Sequence, residues 1–261
     1  MSDILLKYQA VDISYAGQKV VENADFQINT GEILGIVGES GSGKSTLVKA
    51  ALGILNNEGR VDRGKILFHG KDLTTMYGEP LRRIRGAEIG MVFQNPGASL
   101  SPIRKISEQF YETIREHRRL DKQSAKEEIL LLFEKLQLWD GERILDSYPF
   151  ELSGGMNQRV AIALTMMLQP SLILADEPTS ALDVTVQSQV IKELMQIRDL
   201  FGTSILIVTH NIGVAAHMAD QIVVMRQGRI VEKGRKEDII FRPQERATRK
   251  LIDATPKIRR G

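Results

Sequence analysis

No cysteine occurs among the 261 residues. That absence excludes a disulfide framework, a thiolate zinc site, a cysteine-held iron–sulfur cluster and a cysteine nucleophile, and it permits a reducing compartment. A surplus of charge is missing too: 35 basic side chains against 33 acidic ones leave +2, too little for the one-sided basic face of a nucleic-acid binder. Basic residues cluster only locally, at Arg82, Arg83 and Arg85, at Arg115, Arg118 and Arg119, and at Lys257, Arg259 and Arg260. Each cluster reads as a solvated helix face or tail before it reads as a contact with a partner or with lipid headgroups. No run approaches the roughly 18 apolar residues that cross a membrane. The start, Met1-Ser-Asp-Ile-Leu-Leu-Lys7, carries acid where a signal peptide carries base. The sequence is therefore expected to be soluble, with any membrane role exerted through a partner.

What is present is apolar material, 42% of the chain, enough for one or two closely joined domains. Three short runs share one design: Glu32-Ile-Leu-Gly-Ile-Val37, Ser171-Leu-Ile-Leu-Ala175 and Ser204-Ile-Leu-Ile-Val208. Each is unbroken rather than alternating, as strands buried on both faces of a parallel sheet are. Helical patterns follow the first two, over residues 44–55 and at Val186, Val190, Ile191, Leu194 and Ile197, with Asp183 placed to cap the second helix. Strand, polar turn, helix is the βα unit, whose ligands gather at the carboxyl ends of the strands. Residues 96–165 are mostly helical, with Ile129, Leu132, Phe133 and Leu136 spaced as one helix face. The first 30 residues alternate as strands do, through Val11, Ile13 and Tyr15 and then Phe26 and Ile28. The expected organisation is an α/β core with an N-terminal β subdomain over residues 1–95 and 166–231, a helical subdomain over 96–165 and a charged appendage over 232–261.

Gly38-Glu-Ser-Gly-Ser-Gly-Lys-Ser-Thr46 fits the phosphate-loop pattern and lies between a buried strand and a helix, as the chemistry requires. Gly38, Gly41 and Gly43, with Ser40 and Ser42 between them, let backbone N–H groups turn toward phosphate. Lys44 reaches the β- and γ-phosphates, Ser45 meets Mg²⁺, and Thr46 is the last of the nucleotide-binding residues of the loop. A flexible Gly-Ser linker would not have apolar structure on both sides. Leu172-Ile-Leu-Ala-Asp-Glu177 ends a buried strand in two carboxylates, which is costly unless they face ligand or metal. Asp176 suits the Mg²⁺ shell and Glu177 the activation of water. His210 follows the third strand, where a lone histidine is otherwise more often structural. Gln94 closes the apolar run Met91-Val-Phe-Gln94 and could sense metal and water without adding charge. Leu152-Ser-Gly-Gly-Met-Asn-Gln158 opens another helix, either as an ordinary cap or as a second phosphate contact.

Together these segments and Ser180-Ala-Leu-Asp183 resemble, in order and spacing, the nucleotide-binding subunit of an ABC transporter over nearly the whole chain. The resemblance implies a RecA-like P-loop NTPase core of mostly parallel sheet, with an N-terminal antiparallel β subdomain and an inserted helical subdomain. It implies ATP and Mg²⁺ as ligands, the cation met by Ser45, Gln94 and Asp176, with Gln94 also at the nucleotide. Tyr15 then stacks on adenine, unless it is a simple strand aromatic. Glu177 is the general base, and Lys44, Gln94 and His210 complete the catalytic set. Ser153, Gly154, Gly155 and Gln158 form the signature that reaches ATP on a facing subunit. Ser180, Ala181, Leu182 and Asp183 form a loop at the dimer. The implied partners are a second ATPase subunit, self or paralogue, bound head to tail, two permease subunits and, indirectly, an extracytoplasmic solute-binding protein, with no nucleic acid. The implied location is the cytoplasmic face of the membrane.

A narrower likeness to the oligopeptide, dipeptide and nickel importer branch rests on residues 82–102, Ser147-Tyr-Pro-Phe-Glu-Leu152 and Ala175-Asp-Glu-Pro-Thr-Ser-Ala-Leu-Asp-Val184. It implies import of peptides or of a small solute such as a nickel chelate, with permease docking near residues 94–102. Asn211 stands where the family usually has Asp, and Pro243-Gln-Glu-Arg-Ala-Thr248 only loosely follows the branch's Pro-x-His-Pro-Tyr-Thr. A non-transport ABC ATPase acting on ribosomes or DNA is the alternative. Such chains usually carry two nucleotide domains, a long coiled coil or a strongly basic surface, none of which is found here. A P-loop kinase or GTPase leaves residues 153–158 unexplained.

Overall fold

In the computed structural model, which describes residues 3–56, 58–93, 99–180 and 184–254, the alternating N-terminal segment forms β1 (Ile4–Tyr15) and β2 (Gln18–Asn29). They pair antiparallel, Tyr15 opposite Gln18 and Ile4 opposite Asn29. Ala24, Phe26 and Ile28 are buried, whereas Asn23, Asp25 and Gln27 are exposed, the period-2 signature of a sheet covered on one face. The apolar run that follows is β3 (Ile33–Gly38), buried along its whole length. Helix α1 (Lys44–Ala51) comes next, and β4 (Gly59–Phe68) and β5 (Lys71–Asp72) complete an antiparallel sheet of order β2-β1-β4-β5. Tyr8 of β1 is fully buried, stacks on Phe26 with ring centroids 4.4 Å apart, and donates its hydroxyl to the Leu47 carbonyl at 2.6 Å. This sheet therefore anchors α1, whose Leu47, Val48 and Ala51 are buried as well.

Contacts group the chain into two compact units, Met1–Arg82 with Ser204–Gly261, and Arg83–Thr203. Helix α2 (Glu79–Ile84) leads into the second unit. There β6 (Ile89–Val92) and β7 (Leu172–Asp176) run parallel, Val92 beside Ala175. Between them lie α3 (Ile106–His117), α4 (Lys122–Lys135), α5 (Gly141–Asp146) and α6 (Gly154–Met166). Asp121 caps α4, its Oδ1 accepting from the N–H groups of Gln123 and Ser124 at 3.0 Å each. Ile129, Leu132 and Phe133 point inward, as their spacing requires, and Phe133 meets Phe110 edge to face at 5.3 Å. The unit closes with α7 (Val184–Phe201), which buries Val190, Ile191, Leu194 and Ile197. Each such aliphatic side chain contributes about 1.5–3 kcal/mol relative to exposure.

The chain then returns to the first unit through β8 (Ser204–Thr209), α8 (Ile212–Met218), β9 (Gln221–Arg226) and β10 (Arg229–Arg235), followed by α9 (Lys236–Phe241) and α10 (Arg246–Asp253). β3 runs parallel to β8 on one side and to β9 on the other, and β10 lies antiparallel on β9. A Cβ on Gly35 would stand 2.9 Å from the Cβ of Ala215, so α8 lies directly against β3 where that strand has no side chain. The loosely matching tail is tied down: the buried Thr248 hydroxyl donates to the Glu232 carboxylate of β10, which also accepts from the N–H of Gln244 at 2.8 Å.

Candidate functional site

Two groups of predicted residues are assembled, one in each unit. In the first, Val37 pairs with Thr209, so the phosphate loop and His210 leave neighbouring parallel strands at the same end. Gly41 and Gly43 adopt left-handed φ of 77° and 96°, which curl the loop and cost other residues dearly. Gly43 caps α1 without a side-chain oxygen, and a helix that begins in this way turns N–H groups and the positive end of its dipole toward an anion. The loop rests on the carboxyl end of β9, where Met225 is the register partner of Gly38. A Cβ on Gly38 would lie 2.2 Å from the Met225 carbonyl oxygen and 2.8 Å from Ser42 Oγ. The Gly228 N–H, in the turn between β9 and β10, donates to the Ser42 carbonyl at 3.1 Å. Met225 and Gly228 are supports that sequence reasoning missed; the only local signal was the Gln227-Gly228 turn between two strand-like segments.

Lys44 is buried at 4% exposure, and its Nζ donates to the carbonyls of Gly38 at 2.9 Å and Glu39 at 2.8 Å. The ammonium is thus held inside the curl of its own loop. Gly38→Ala is expected to destabilise the protein by about 1–3 kcal/mol, the cost of overpacking against backbone, and to weaken nucleotide binding with it. Urea unfolding and a nucleotide titration check this, and a variant unchanged in both would contradict it.

Tyr15 ends β1, half-buried, with its ring laid over Gly59, where a Cβ would approach Cε1 to 2.6 Å. His210 is exposed just beyond β8. Asn211 Oδ1 accepts from the Gly213 N–H at 2.9 Å and so caps α8, which leaves its substitution for the usual Asp without structural cost.

In the second unit β7 delivers four buried apolar residues and then Asp176 and Glu177, both half-buried. Glu177 is left-handed, with φ 48°, although proline follows it. Its carbonyl is held twice by Ser180, through the N–H and the hydroxyl, each at 3.1 Å. Ser180, expected at the dimer, therefore also fixes the turn that carries Glu177. Ser153 caps α6, its Oγ accepting from the Met156 N–H at 3.3 Å. Gly154 and Gly155 are exposed, with no atom within 4 Å of where a Cβ would be, whereas Gln158 is buried. Gln94 and the segment Ala181, Leu182 and Asp183, including the expected Asp183 cap, lie outside the described residues. Among the described residues no three His, Asp or Glu side chains gather as a metal cluster.

Residues 21–180 match the family described as ABC transporter. The oligopeptide transport ATP-binding protein OppD of Haemophilus influenzae is 42% identical over 91% of this chain and 73% of its own length. A probable peptide ABC transporter ATP-binding protein of Sinorhizobium fredii, y4tR, is 37% identical over the whole chain and 79% of its own. Among solved structures, cbiO1 from Clostridium perfringens, part of the ABC transporter complex cbiONQ, superposes with a TM-score of 0.78 at 27% identity, covering 92% of both chains. The dimeric cassette MJ0796, in a post-hydrolysis state bound to ADP and Pi, superposes with a TM-score of 0.74 at 26% identity, covering 89% of this chain and 99% of that one.

Proposed function

This chain belongs to the ABC transporter family and is an ATPase, and we propose that it powers the import of peptides through partner permeases. The observation that carries the substrate class is the likeness to peptide-transport subunits over nine-tenths of the chain or more. No described helix is long and apolar enough to cross a membrane. The chain would then work at the cytoplasmic face, held by two permease subunits that receive cargo from an extracytoplasmic binding protein. Residues 96–165 would dock the permeases near 94–102, residues 1–95 and 166–231 would bind ATP, and 232–261 would form an appendage.

The curled loop and the α1 N-terminus fit a triphosphate. Lys44 would exchange two neutral carbonyls for phosphate oxygens, a stronger charge-assisted pairing. The adenine would lie on the open face of Tyr15. Ser45, Asp176 and Gln94 offer a hydroxyl, a carboxylate and an amide, the sparse oxygen set that suits Mg²⁺ held largely by phosphate and water. When bound, Mg²⁺ neutralises charge on the phosphates. Glu177 would take a proton from the water that attacks the γ-phosphorus as the bond to the β-phosphate oxygen breaks, and His210 would hold the γ-phosphate oxygens. Ser153, Gly154, Gly155 and Gln158 would close over ATP bound to a facing subunit, which the open space around Gly154 and Gly155 supports. Ser180, Ala181, Leu182 and Asp183 would line the same dimer contact.

Ser153→Ala is expected to leave ATP binding by the isolated subunit within about twofold while lowering hydrolysis by the dimer about a hundredfold, as loss of one charge-stabilising donor does. Loss of binding by the monomer would sink the cross-subunit reading. The substrate class is tested by tagging this chain, purifying the complex from membranes and adding the binding protein with di- or oligopeptides or with a nickel chelate. Peptide stimulation of ATPase is expected. Stimulation by the chelate alone, or copurification with ribosomes or DNA instead of permeases, would overturn it.

A further inference from the structure

Arg159 follows the proposed signature residue Gln158 on α6, and its guanidinium is held by two neighbouring helices. Nε meets Glu193 Oε1 of α7 at 2.9 Å, and Nη2 donates to the carbonyls of Leu136 at 2.7 Å and Gln137 at 3.2 Å, where α4 ends. One side chain thereby ties three helices, and carbonyls at a helix C-terminus favour a cation. Glu193 is 7% exposed and also accepts from Gln189 Nε2 at 2.9 Å, while its Oε2 is buried without a partner. Burial pushes the Glu193 carboxyl above its usual range, against the pull of Gln189 and Arg159. Around the pair stand Leu136, Leu138 and Ile162.

An ion pair with a buried carboxylate and a half-buried guanidinium is a poor source of stability, because apolar side chains of similar volume usually serve as well or better. Such a pair can instead define direction, because its hydrogen bonds form at only one rotation and register of α6 against α7. The position of these helices gives that register a consequence. α6 starts at the proposed signature turn, and α7 is the next described helix after the strand that ends at Asp176, with Glu177 in the turn just beyond it. We propose that Arg159 and Glu193 are positioning residues that couple the two ATP sites, transmitting closure of the signature turn on a partner's ATP to the Glu177 strand of the same chain. This rests on the cross-subunit reading given above.

The test uses the full chain in its transport complex, with Arg159→Met, Glu193→Leu and the double variant Arg159→Met/Glu193→Leu. Each single change strands one member of the pair and is expected to lower the Tm, and the double change to restore it. The double variant is expected to keep the ATP affinity of the isolated subunit, yet to lose about tenfold in kcat, a typical coupling between sites, with the Hill coefficient for ATP falling toward 1. Recovery of both stability and cooperative turnover in the double variant would reduce the pair to a fold pin and overturn the proposal. Should the double variant not fold, Glu193→Gln, which removes the charge but keeps an oxygen for Arg159, is read by the same kcat and Hill criteria. A Hill coefficient of 1 in the unaltered complex would instead contradict the cross-subunit reading itself, and the coupling with it.

Discussion

Glu177→Gln is expected to bind ATP as the unaltered chain does and to hydrolyse it about 10²–10⁴ times more slowly, the span a general base usually supplies. The amide has the shape of the carboxylate but cannot take a proton from water. The turn itself should survive, because Ser180 holds the left-handed backbone of Glu177 through its carbonyl, which the change leaves in place. Binding should survive as well, since Lys44 and the α1 N-terminus are untouched. ATP would then accumulate uncleaved, and subunits that close on it would stay closed. Single-turnover hydrolysis, equilibrium ATP binding and size-exclusion chromatography with Mg·ATP check these outcomes together. Near-normal turnover would remove Glu177 as the base.

Lys44→Ala should fail one step earlier. An ammonium bonded to phosphate contributes about 2–3 kcal/mol as a charge-assisted interaction, so nucleotide affinity is expected to fall roughly 30–150-fold. The change also strips the Gly38 and Glu39 carbonyls of the donor inside the loop, so some loss of thermal stability should accompany it. The contrast with Glu177→Gln is the informative part: one variant keeps affinity and loses turnover, the other loses affinity first. Isothermal titration with a non-hydrolysable ATP analogue checks it, and unchanged affinity would contradict the phosphate-loop assignment.

The sequence made the strands of the site legible because burial on both faces leaves an unbroken apolar run, and β3, β7 and β8 end at Gly38, Asp176 and Thr209, where the runs give way to glycine or polar residues. The phosphate loop was legible for a different reason, since its glycines and Lys44 are required one by one by local backbone geometry. Asn211 caps α8 through a bond only two residues along the chain, the short range over which residue preferences act. What escaped were contacts between residues far apart in the chain. Nothing near Gly38 announces that the Met225 carbonyl will sit where its side chain would be, and nothing near Tyr8 announces Leu47 as its acceptor. Arg159 looks like one more charge on a helix until Glu193, 34 positions later, proves to be its buried partner. Ser180 was read as facing a second subunit, and its hold on Glu177 follows from a left-handed residue before proline, which sequence preferences oppose.

The net charge of only +2 gives a nucleic-acid or ribosomal ATPase little to work with, whereas a motor attached to permeases needs no basic surface. The central claim is that ATP cleaved by this chain moves peptide across a membrane. It is tested most directly by uptake of a labelled oligopeptide in cells whose own copy of the chain is replaced by Glu177→Gln. The account predicts that peptide uptake falls to background while uptake of a free amino acid is unchanged; peptide uptake at the rate of cells carrying the unaltered chain would contradict it.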